Sequence, residues 1–368
     1  MAPRPYDKEL TRLVRRAYPP ATMAPIPPSG GLSIPRRRLL AATGGALLAG
    51  AALRPAWAQE DEPVSQLDPS ADGPPERRPI IVQIDNDPRA RPSSNLGAAR
   101  IVYEYPAEGG VTRFSAIFMA DQEDVGAIGN VRSARLATIE IVEQFNAILA
   151  YHGGATGIQE HIWNSWIDFV SFELVENYPF FTRVPWRVGP YNSYTDLPRI
   201  RQAARQKGIP LLGRGLQNFP VGPYSPPEDG FAPVNRIFLP YQNGFQVLYE
   251  YDPATNTYWR TMAGRPHFDD GLKAQITTQN VIVQFAESYQ TDIVEDIFGS
   301  RSLDYRLQGE GLAWIFRDGL WVESTWQRGE GWHFTTFYDA SGQSIPLAPG
   351  SAWISLVAPG APVRVWNE

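Results

Sequence analysis

Two arginines follow a glycine-bearing loop and stand just before a run with helical spacing. The loop is Gly126–Arg135 (GAIGNVRSAR), in which Arg132 and Arg135 are three positions apart. We expect a helix over 134–146 with Ser133 as its N-cap, so that one turn would present both guanidinium groups to a single carboxylate or phosphate. The free N–H groups at a helix start also favour an anion. The alternative is a pair of surface arginines bound to neighbouring carboxylates.

A second candidate is the segment Glu104–Arg113 (EYPAEGGVTR). Glu108 precedes the pair Gly109–Gly110, which lets backbone approach a ligand closely. The Glu108 carboxylate has the chemistry of a general acid or base, and Arg113 would position a substrate or lower the pKa of that carboxylate. The alternative is a β-turn closed by a structural Glu–Arg ion pair.

Polar side chains and glycines directly follow two β-rich runs of the sequence. These residues are Asp85, Asn86, His152, Gly153 and Gly154. If the strands over 80–84 and 147–151 are parallel, their carboxyl ends meet at the edge where open α/β sheets bind ligands. His152 would then be a proton shuttle, with Asp85 and Glu108 as the carboxylates of one cleft. A histidine bonded to a loop carbonyl is the alternative.

The residue types present exclude several kinds of site. The sequence has no cysteine, which excludes disulfides, thiolate metal sites, thiol nucleophiles and a lipid-carrying cysteine, so we expect no lipid anchor. The four histidines lack metal-ligand spacing, and we expect neither a metal nor a cofactor. A metal held by Asp85, Asp87 and nearby carbonyls is the alternative, although that pattern matches no known loop. Neither a Gly-x-Ser-x-Gly elbow nor a Walker loop occurs, so serine hydrolase and nucleotide-binding functions lack support.

The N-terminal region has the features of an export signal. A basic run of twin-arginine character, Arg36–Arg38, precedes an apolar stretch over 39–53 and the A-x-A sequence Ala56–Ala58. The apolar stretch is shorter than a membrane span of about 20 residues. We therefore predict signal cleavage near Ala58 and an extracytoplasmic protein, secreted or associated with the cell envelope. An uncleaved membrane anchor is the alternative.

Charge is unevenly distributed along the chain. The whole sequence has 33 basic and 39 acidic residues and a formal charge of −6. Residues 1–58 hold nine of the basic and two of the acidic residues, so the remainder has a formal charge of −13. Such a field disfavours nucleic acid and anionic lipid as partners, and we expect no nucleic-acid partner. Any bound anion must be held by a local cluster of arginines.

The sequence divides into five segments by composition and periodicity. They are an export signal with a dispensable leader (1–58), an acidic Pro/Ser-rich tether (59–78), an α/β first domain (79–218), a linker (219–233) and a β-rich second domain (234–366). Strands alternate with helices in the first domain, where the last predicted helix covers 194–207. The predicted fold class is α+β: an α/β-like N-terminal domain with a mixed sheet, followed by a mostly β C-terminal domain.

Long strings in both halves carry a family resemblance. They include IVQIDNDPRARPSSNLGAARIVYEYPAEGGVTRF, IGNVRSARL and AILAYHGGA in the first half, and GRPHFDD, NVIVQF and GEGLAWIFRDGLWVESTWQR in the second. These strings resemble the bacterial YerB-like lipoprotein family, a two-domain family of unknown function, over most of 78–365. The resemblance implies export, an envelope location, an α+β first domain and a β-rich second domain, and it assigns no reaction or site residue. The missing lipidation cysteine departs from the family pattern.

Three hypotheses for the function follow. The leading one is a secreted envelope protein that binds an anionic cell-wall glycan or peptide ligand in a first-domain cleft, through Arg113, Arg132 and Arg135. The second is a glycan hydrolase or transferase with paired carboxylates, and the third is a scaffolding module without a small ligand. Seven of the ten tryptophans after Ala58 lie at or beyond Trp259, and they serve either as sugar-stacking platforms or as β-domain core.

Overall fold

The computed structural model describes residues 64–65, 76–227 and 230–367. The predicted export signal at 1–58 and most of the tether at 59–78 lie outside this part of the chain, so both stay predictions. None of the helices in the described part combines the length and the apolar character that a membrane span needs.

Helices and strands alternate in the first half of the described chain. Its helices are α1 (Leu136–Phe145), α2 (Thr156–Asn164) and α3 (Leu197–Gln206). Its strands are β1 (Val64–Ser65), β2 (Glu76–Arg77), β3 (Ile80–Asp85), β4 (Ile101–Pro106), β5 (Thr112–Phe118), β6 (Ile128–Gly129), β7 (Ile148–Tyr151), β8 (Asp168–Ser171), β9 (Thr182–Arg183), β10 (Ser193–Thr195) and β11 (Leu212–Gly213).

The second half consists of strands and turns over its described residues. The strands are β12 (Phe231–Pro233), β13 (Arg236–Leu239), β14 (Val247–Asp252), β15 (Thr257–Met262), β16 (Arg265–Pro266), β17 (Phe268–Asp269), β18 (Ala274–Gln275), β19 (Thr277–Thr278), β20 (Asn280–Phe285), β21 (Ser288–Val294), β22 (Arg301–Tyr305), β23 (Gly309–Arg317), β24 (Leu320–Arg328), β25 (Thr336–Tyr338), β26 (Ala352–Val357) and β27 (Arg364–Trp366). The predicted α+β class, with a mixed first half and a mostly β second half, is confirmed.

One mixed sheet runs through both halves. Its strand order is β12-β24-β23-β20-β26-β4-β5-β3-β7-β8, with β25 beside β24. The halves meet where β26 pairs in parallel with β4, from Ala352 opposite Ile101 to Ser355 opposite Glu104. Strands β20, β26, β4, β3, β7 and β8 all run in one direction, and β5 is antiparallel to both of its neighbours. The carboxyl ends of these six strands therefore share one edge, which we call the carboxyl edge.

Both faces of this sheet are covered. On one face, Ile141 and Phe145 of α1 and Ile158 of α2 are fully buried and share a cluster with Tyr103 and Leu149 of the strands. On the other face lies a smaller antiparallel sheet of order β16-β15-β14-β13-β27, with β19 beside β15. All six residues of β3 are buried, as expected of a strand with both faces covered.

The helix predicted over 194–207 begins later than expected. Residues 193–195 form β10, and the side chain of Asp196 accepts a hydrogen bond from the Arg199 backbone N–H at 2.9 Å. Pro198 occupies the first turn. An Asp N-cap with proline inside the first turn sets the start of α3 at Leu197, so the prediction was wrong at its N-terminal end.

A chain of buried polar groups joins the two sheets. The carboxylate of Glu104 on β4 accepts hydrogen bonds from Arg260 of β15, from Trp353 Nε1 at 3.2 Å and from Thr112 Oγ1 at 2.8 Å. The side chains of Glu104 and Arg260 are fully buried. Burial and the neighbouring Arg260 guanidinium hold the pKa of His267 well below its usual range, so this ring is neutral. The charges of Glu104 and Arg260 compensate each other only because β4 of the first half and β15 of the second half meet here.

Removing one member of this ion pair leaves the other charge buried without a counter-charge. We expect Arg260→Met to lower the free energy of unfolding by about 3–5 kcal/mol. The double variant Glu104→Gln/Arg260→Met should recover at least half of that loss. Urea unfolding followed by tryptophan fluorescence measures both. Arg100→Met, which removes an exposed pair with Asp121, is the control and should cost less than about 1 kcal/mol.

Candidate functional site

The carboxyl edge collects the residues singled out in the sequence. Strands β3 and β7 are parallel, as the predicted convergence of Asp85 and His152 requires. Strand β4 runs in the same direction, so Glu108 follows it at the same edge, and Arg113 lies near the start of β5 opposite Asp85. The sequence candidates thus belong to one region of the fold.

Asp85 lies between two of the arginines that were predicted to bind a ligand. Its carboxylate lies 2.9 Å from Arg113 and 3.2 Å from Arg132 Nε, and its side chain is only 3% exposed. Burial lowers the pKa of Arg113, and the Asp85 charge opposes that effect. Asp85 therefore serves as the counter-charge of two guanidinium groups, which leaves it poorly placed to act as a free base.

Glu108 has a similar arrangement. It accepts from Arg135 Nε at 2.6 Å and from the backbone N–H of Leu303 on β22 at 3.3 Å. The carboxylate of Glu295 lies 3.7 Å from Arg135, and burial, reinforced by the nearby Glu108 charge, raises the pKa of Glu295. This cluster ties the first half to the β21–β22 hairpin and corresponds to the structural alternative considered for Glu108, with Arg135 in the place of Arg113.

Arg132 and Arg135 do not present one anion site from a helical turn. Helix α1 starts at Leu136, and Arg135 is its N-cap, so the predicted start with Ser133 as N-cap was wrong. The backbone N–H of Ala134 donates to the carbonyl of Gly153, and the His152 N–H donates to the carbonyl of Arg132. These two bonds keep the segment before α1 extended, and the two guanidinium groups bind different carboxylates.

His152 lies among cationic and aromatic groups. Burial, together with the Arg183 and Arg132 charges, lowers the pKa of His152 to about 4. Arg183 donates to Nε2 at 3.2 Å, and the His152 ring packs against Phe172 in a tilted arrangement with 4.1 Å between the ring centroids. Glu173 is 3.8 Å away, but the neutral ring forms no ion pair with it at neutral pH. A ring with this low pKa is a poor proton shuttle at neutral pH.

The remaining predicted residues have structural partners. Asn86 donates to Thr112 Oγ1 at 2.6 Å and extends the buried polar chain from Glu104. Gly153 has a φ of +87°, and a Cβ there would lie 3.2 Å from Ser133 Oγ, so only glycine fits without strain. The carbonyl of Gly154 accepts from Gln159 in α2 at 3.1 Å.

An open groove of about 700 Å³ lies next to this cluster, beyond the end of β3. Cations, aromatic rings and small apolar side chains line it. The lining residues are Arg89, Arg91, Trp186, Arg187, Val188, Gly189, Pro190 and Tyr191. Arg89 and Arg91 belong to one of the strings that carry the family resemblance, but no sequence pattern marks them or the other lining residues as site residues. No spacing rule connects positions 89–91 with 186–191.

Three arginines are fixed around this groove. Arg89 binds both carboxylate oxygens of Asp87 and lies over the Tyr191 ring, with 5.0 Å between the guanidinium carbon and the centroid. Arg91 donates to the backbone carbonyl and the side chain of Asn86, each at 2.9 Å. Arg187 donates to the carbonyls of two residues in the 90–92 segment.

The charges within the groove do not cancel. The hydrogen bond from Arg89 lowers the pKa of Asp87 to about 2, so this carboxylate neutralises one of the three cations. Burial lowers the pKa of Arg91 to about 10, which leaves it protonated at neutral pH. Arg91 and Arg187 bind uncharged oxygens, and neither forms an ion pair with a carboxylate among the described residues. Glu104, Asp87 and Asp85 act on the Arg91 charge only at longer range.

The exposed tryptophans lie mainly in the first half of the described chain, and Trp259, at 39% exposure, is the exception in the second half. Trp186 is 73% exposed, and Trp163 and Trp166 are also exposed. In the second half, by contrast, Trp314, Trp321, Trp326 and Trp353 are buried in the sheets. For these four residues, the β-core interpretation is confirmed over the sugar-platform one.

The low pKa of His152 leads to a prediction about how the stability of the fold depends on pH. The unfolded chain binds this proton more readily than the folded one, so stability is lost as pH falls from about 6.5 towards 4. His152→Gln has no group that binds this proton. As the pH falls across that interval, the unfolding free energy of His152→Gln should therefore rise relative to that of the wild type by up to about 3 kcal/mol. Denaturant titrations at several pH values measure the difference, with His161→Gln as the substitution control. A difference that does not change with pH would contradict the assigned environment of His152.

Comparison with known proteins agrees with this architecture. The N-terminal domain of the family described as "Protein of unknown function (DUF3048)" matches residues 67–210, and its C-terminal domain matches 237–354. A Bacillus subtilis (strain 168) protein named "Putative lipoprotein YerB" is 30% identical over 289 residues, which is 77% of this chain and 82% of the relative. The crystal structure of YerB from Bacillus subtilis superposes with a TM-score of 0.66 at 28% identity, covering 79% of this chain and 94% of that one.

The two domain matches lie in the same order and on the same halves of the chain as the strings that suggested a YerB-like protein. The expected resemblance is thereby confirmed. This chain belongs to the DUF3048 family, a two-domain family of unknown function that includes YerB.

Proposed function

We propose that this protein works outside the cytoplasm, at the cell envelope, as a binding protein for an anionic cell-wall glycan. The groove formed by Arg89, Arg91, Trp186, Arg187 and Tyr191 is the proposed site. The predicted export signal and the lipoprotein name of the Bacillus relative support the location. The observation that carries the ligand class is a pair of arginines without ion-pair partners, Arg91 and Arg187, beside an exposed tryptophan.

The charge argument depends on contrast with the rest of the chain. A chain with a net charge of −6 repels anions at long range, so anion binding needs a local positive field. Arginine forks bind carboxylate and phosphate in two-pronged fashion. Because Arg91 and Arg187 are already oriented by backbone and amide oxygens, little side-chain entropy would be lost when a ligand binds.

The aromatic argument selects among anions. A tryptophan that is 73% exposed at the rim of a groove presents a flat apolar face, and exposed apolar surface of this kind marks interaction sites. Tyr191 is held by the cation of Arg89 and adds a second ring. A sugar ring bearing a carboxylate or phosphate matches both the rings and the arginines, whereas an inorganic anion would use only the arginines.

The contacts of the carboxylates favour binding over hydrolysis. A glycosidase needs one carboxyl group that can donate a proton and another that faces the substrate. Asp85 and Glu108 are instead engaged by Arg113, Arg132 and Arg135 in nearly buried ion pairs. The carboxylate-pair hypothesis therefore lacks a supporting observation at these residues.

Titration with small charged sugars tests the proposal. We expect N-acetylmuramic acid and N-acetylglucosamine 6-phosphate to change the tryptophan fluorescence, and uncharged N-acetylglucosamine to bind more weakly by about tenfold or more. Trp186→Ala should remove both the signal and the binding measured by calorimetry. Arg89→Gln should weaken binding, and added salt should weaken it further.

Trp259→Ala, which removes a partly exposed tryptophan of the second half, is the matched control and should bind like the wild type. Charged sugars that bind Trp186→Ala as tightly as the wild type would rule out this groove as their site. If no charged sugar binds the wild type, the glycan proposal itself is wrong.

A further inference from the structure

A second cavity, of about 600 Å³, opens at the carboxyl edge between the ends of β4 and β26. Its volume lies within the range of about 300–1,000 Å³ that is typical of small-molecule sites. Both halves of the chain supply its walls: the loop 106–112 from the first, and 240–242, the β21–β22 hairpin and 357–362 from the second. None of these residues belongs to the arginine groove.

The interior of the cavity is mainly apolar. Leu303, Tyr305, Val357, Ala358 and Pro362 contribute to its walls. The Tyr305 hydroxyl already donates to the Pro106 carbonyl at 2.6 Å, so that residue offers a ligand its ring. This surface suits the apolar body of a ligand.

Two charged side chains line the cavity, and only one is available to a ligand. Glu108 accepts from Arg135 and from the Leu303 N–H, as described above. Arg301 donates through a single nitrogen to the carbonyl and carboxylate of Asp292, whose side chain is fully exposed. An exposed pair of this kind contributes about 0–1 kcal/mol, so Arg301 can exchange Asp292 for another carboxylate at little cost.

Neutral polar groups stand near this cation. Ser288 and Gln290 of β21 line the same wall, and Gln290 is exposed. On the opposite rim, the loop at Gly109–Gly110 has positive φ at both residues and brings its backbone to the cavity without side chains. One cation, a few uncharged hydrogen-bonding groups and an apolar wall are complementary to a ligand with one anionic end.

From this combination we infer that the cavity binds an amphipathic carboxylate, with its carboxyl group on Arg301 and its apolar body against Leu303 and Tyr305. Two sources have this chemistry: a short peptide with a free C-terminus, and a medium-chain fatty acid. The hairpin and the 106–112 loop both contact such a ligand, so it bridges the two halves of the chain.

Calorimetric titration with octanoate and with N-acetyl-leucyl-leucine tests the inference and separates the two sources. Octanol and the C-terminal amide of the peptide are the uncharged controls. We expect at least one of the two acids to bind. Its uncharged analogue should bind with an affinity that is lower by about tenfold or more. Arg301→Gln should cause a similar loss, and Ala358→Trp, which fills the cavity from an exposed loop, should abolish binding.

Arg306→Gln is the matched control, because Arg306 follows β22, pairs with exposed Glu287 and does not line the cavity. It should bind like the wild type, as should Trp186→Ala, which separates this site from the groove. Binding of octanoate alone identifies an acyl ligand, and binding of the peptide alone identifies a peptide ligand. The inference is overturned if neither acid binds, or if Arg301→Gln and Ala358→Trp leave binding unchanged.

Discussion

The backbone pairing of β26 with β4 is the contact on which the rest of this structure depends. It places a strand from the end of the chain inside a sheet whose next strands come from the first half. A parallel pair cannot be closed by a hairpin and needs a long connection, which here comprises residues 107–351. Because the two strands run in the same direction, the loops after them meet at one edge. The 600 Å³ cavity lies between those loops, so it exists only as a consequence of this pairing.

The buried polar chain gives this pairing its specificity. Glu104 is the last residue of β4 that pairs with β26. Its carboxylate accepts hydrogen bonds from Trp353 of β26 and from Arg260 of the smaller sheet. A buried ion pair adds little net stability compared with apolar packing, because the desolvation of both charges offsets their attraction. A slipped register would, however, separate these groups and leave one charge uncompensated. The ion pair therefore favours one arrangement of three elements over its alternatives.

The same balance of charges explains why some arginines at the carboxyl edge are available to ligands and others are not. Arg113 and Arg135 lie beneath the surface, where an unpaired charge is costly, and each has a carboxylate partner. Arg91 and Arg187 lie nearer the surface and are oriented by neutral oxygens, which position a guanidinium group without cancelling its charge. Arg301 has a partner that water already solvates fully. Availability to a ligand thus follows from burial and from the type of partner.

Much of the architecture was readable from local sequence. The strands around 80–84 and 147–151 and the helix before Asn146 follow from residue type and periodicity, and paired strings in both halves indicated the family. The convergence of Asp85 and His152 was predicted only on the condition that their strands are parallel, and the structure supplied that orientation. Sequence could not identify which arginines meet carboxylates, because ion-pair partners such as Arg135 and Glu295 are far apart in the chain. The groove could not be predicted for the same reason, because positions 89–91 and 186–191 meet only through tertiary packing. Charge compensation and cavity shape depend on distances in space, which local sequence does not specify.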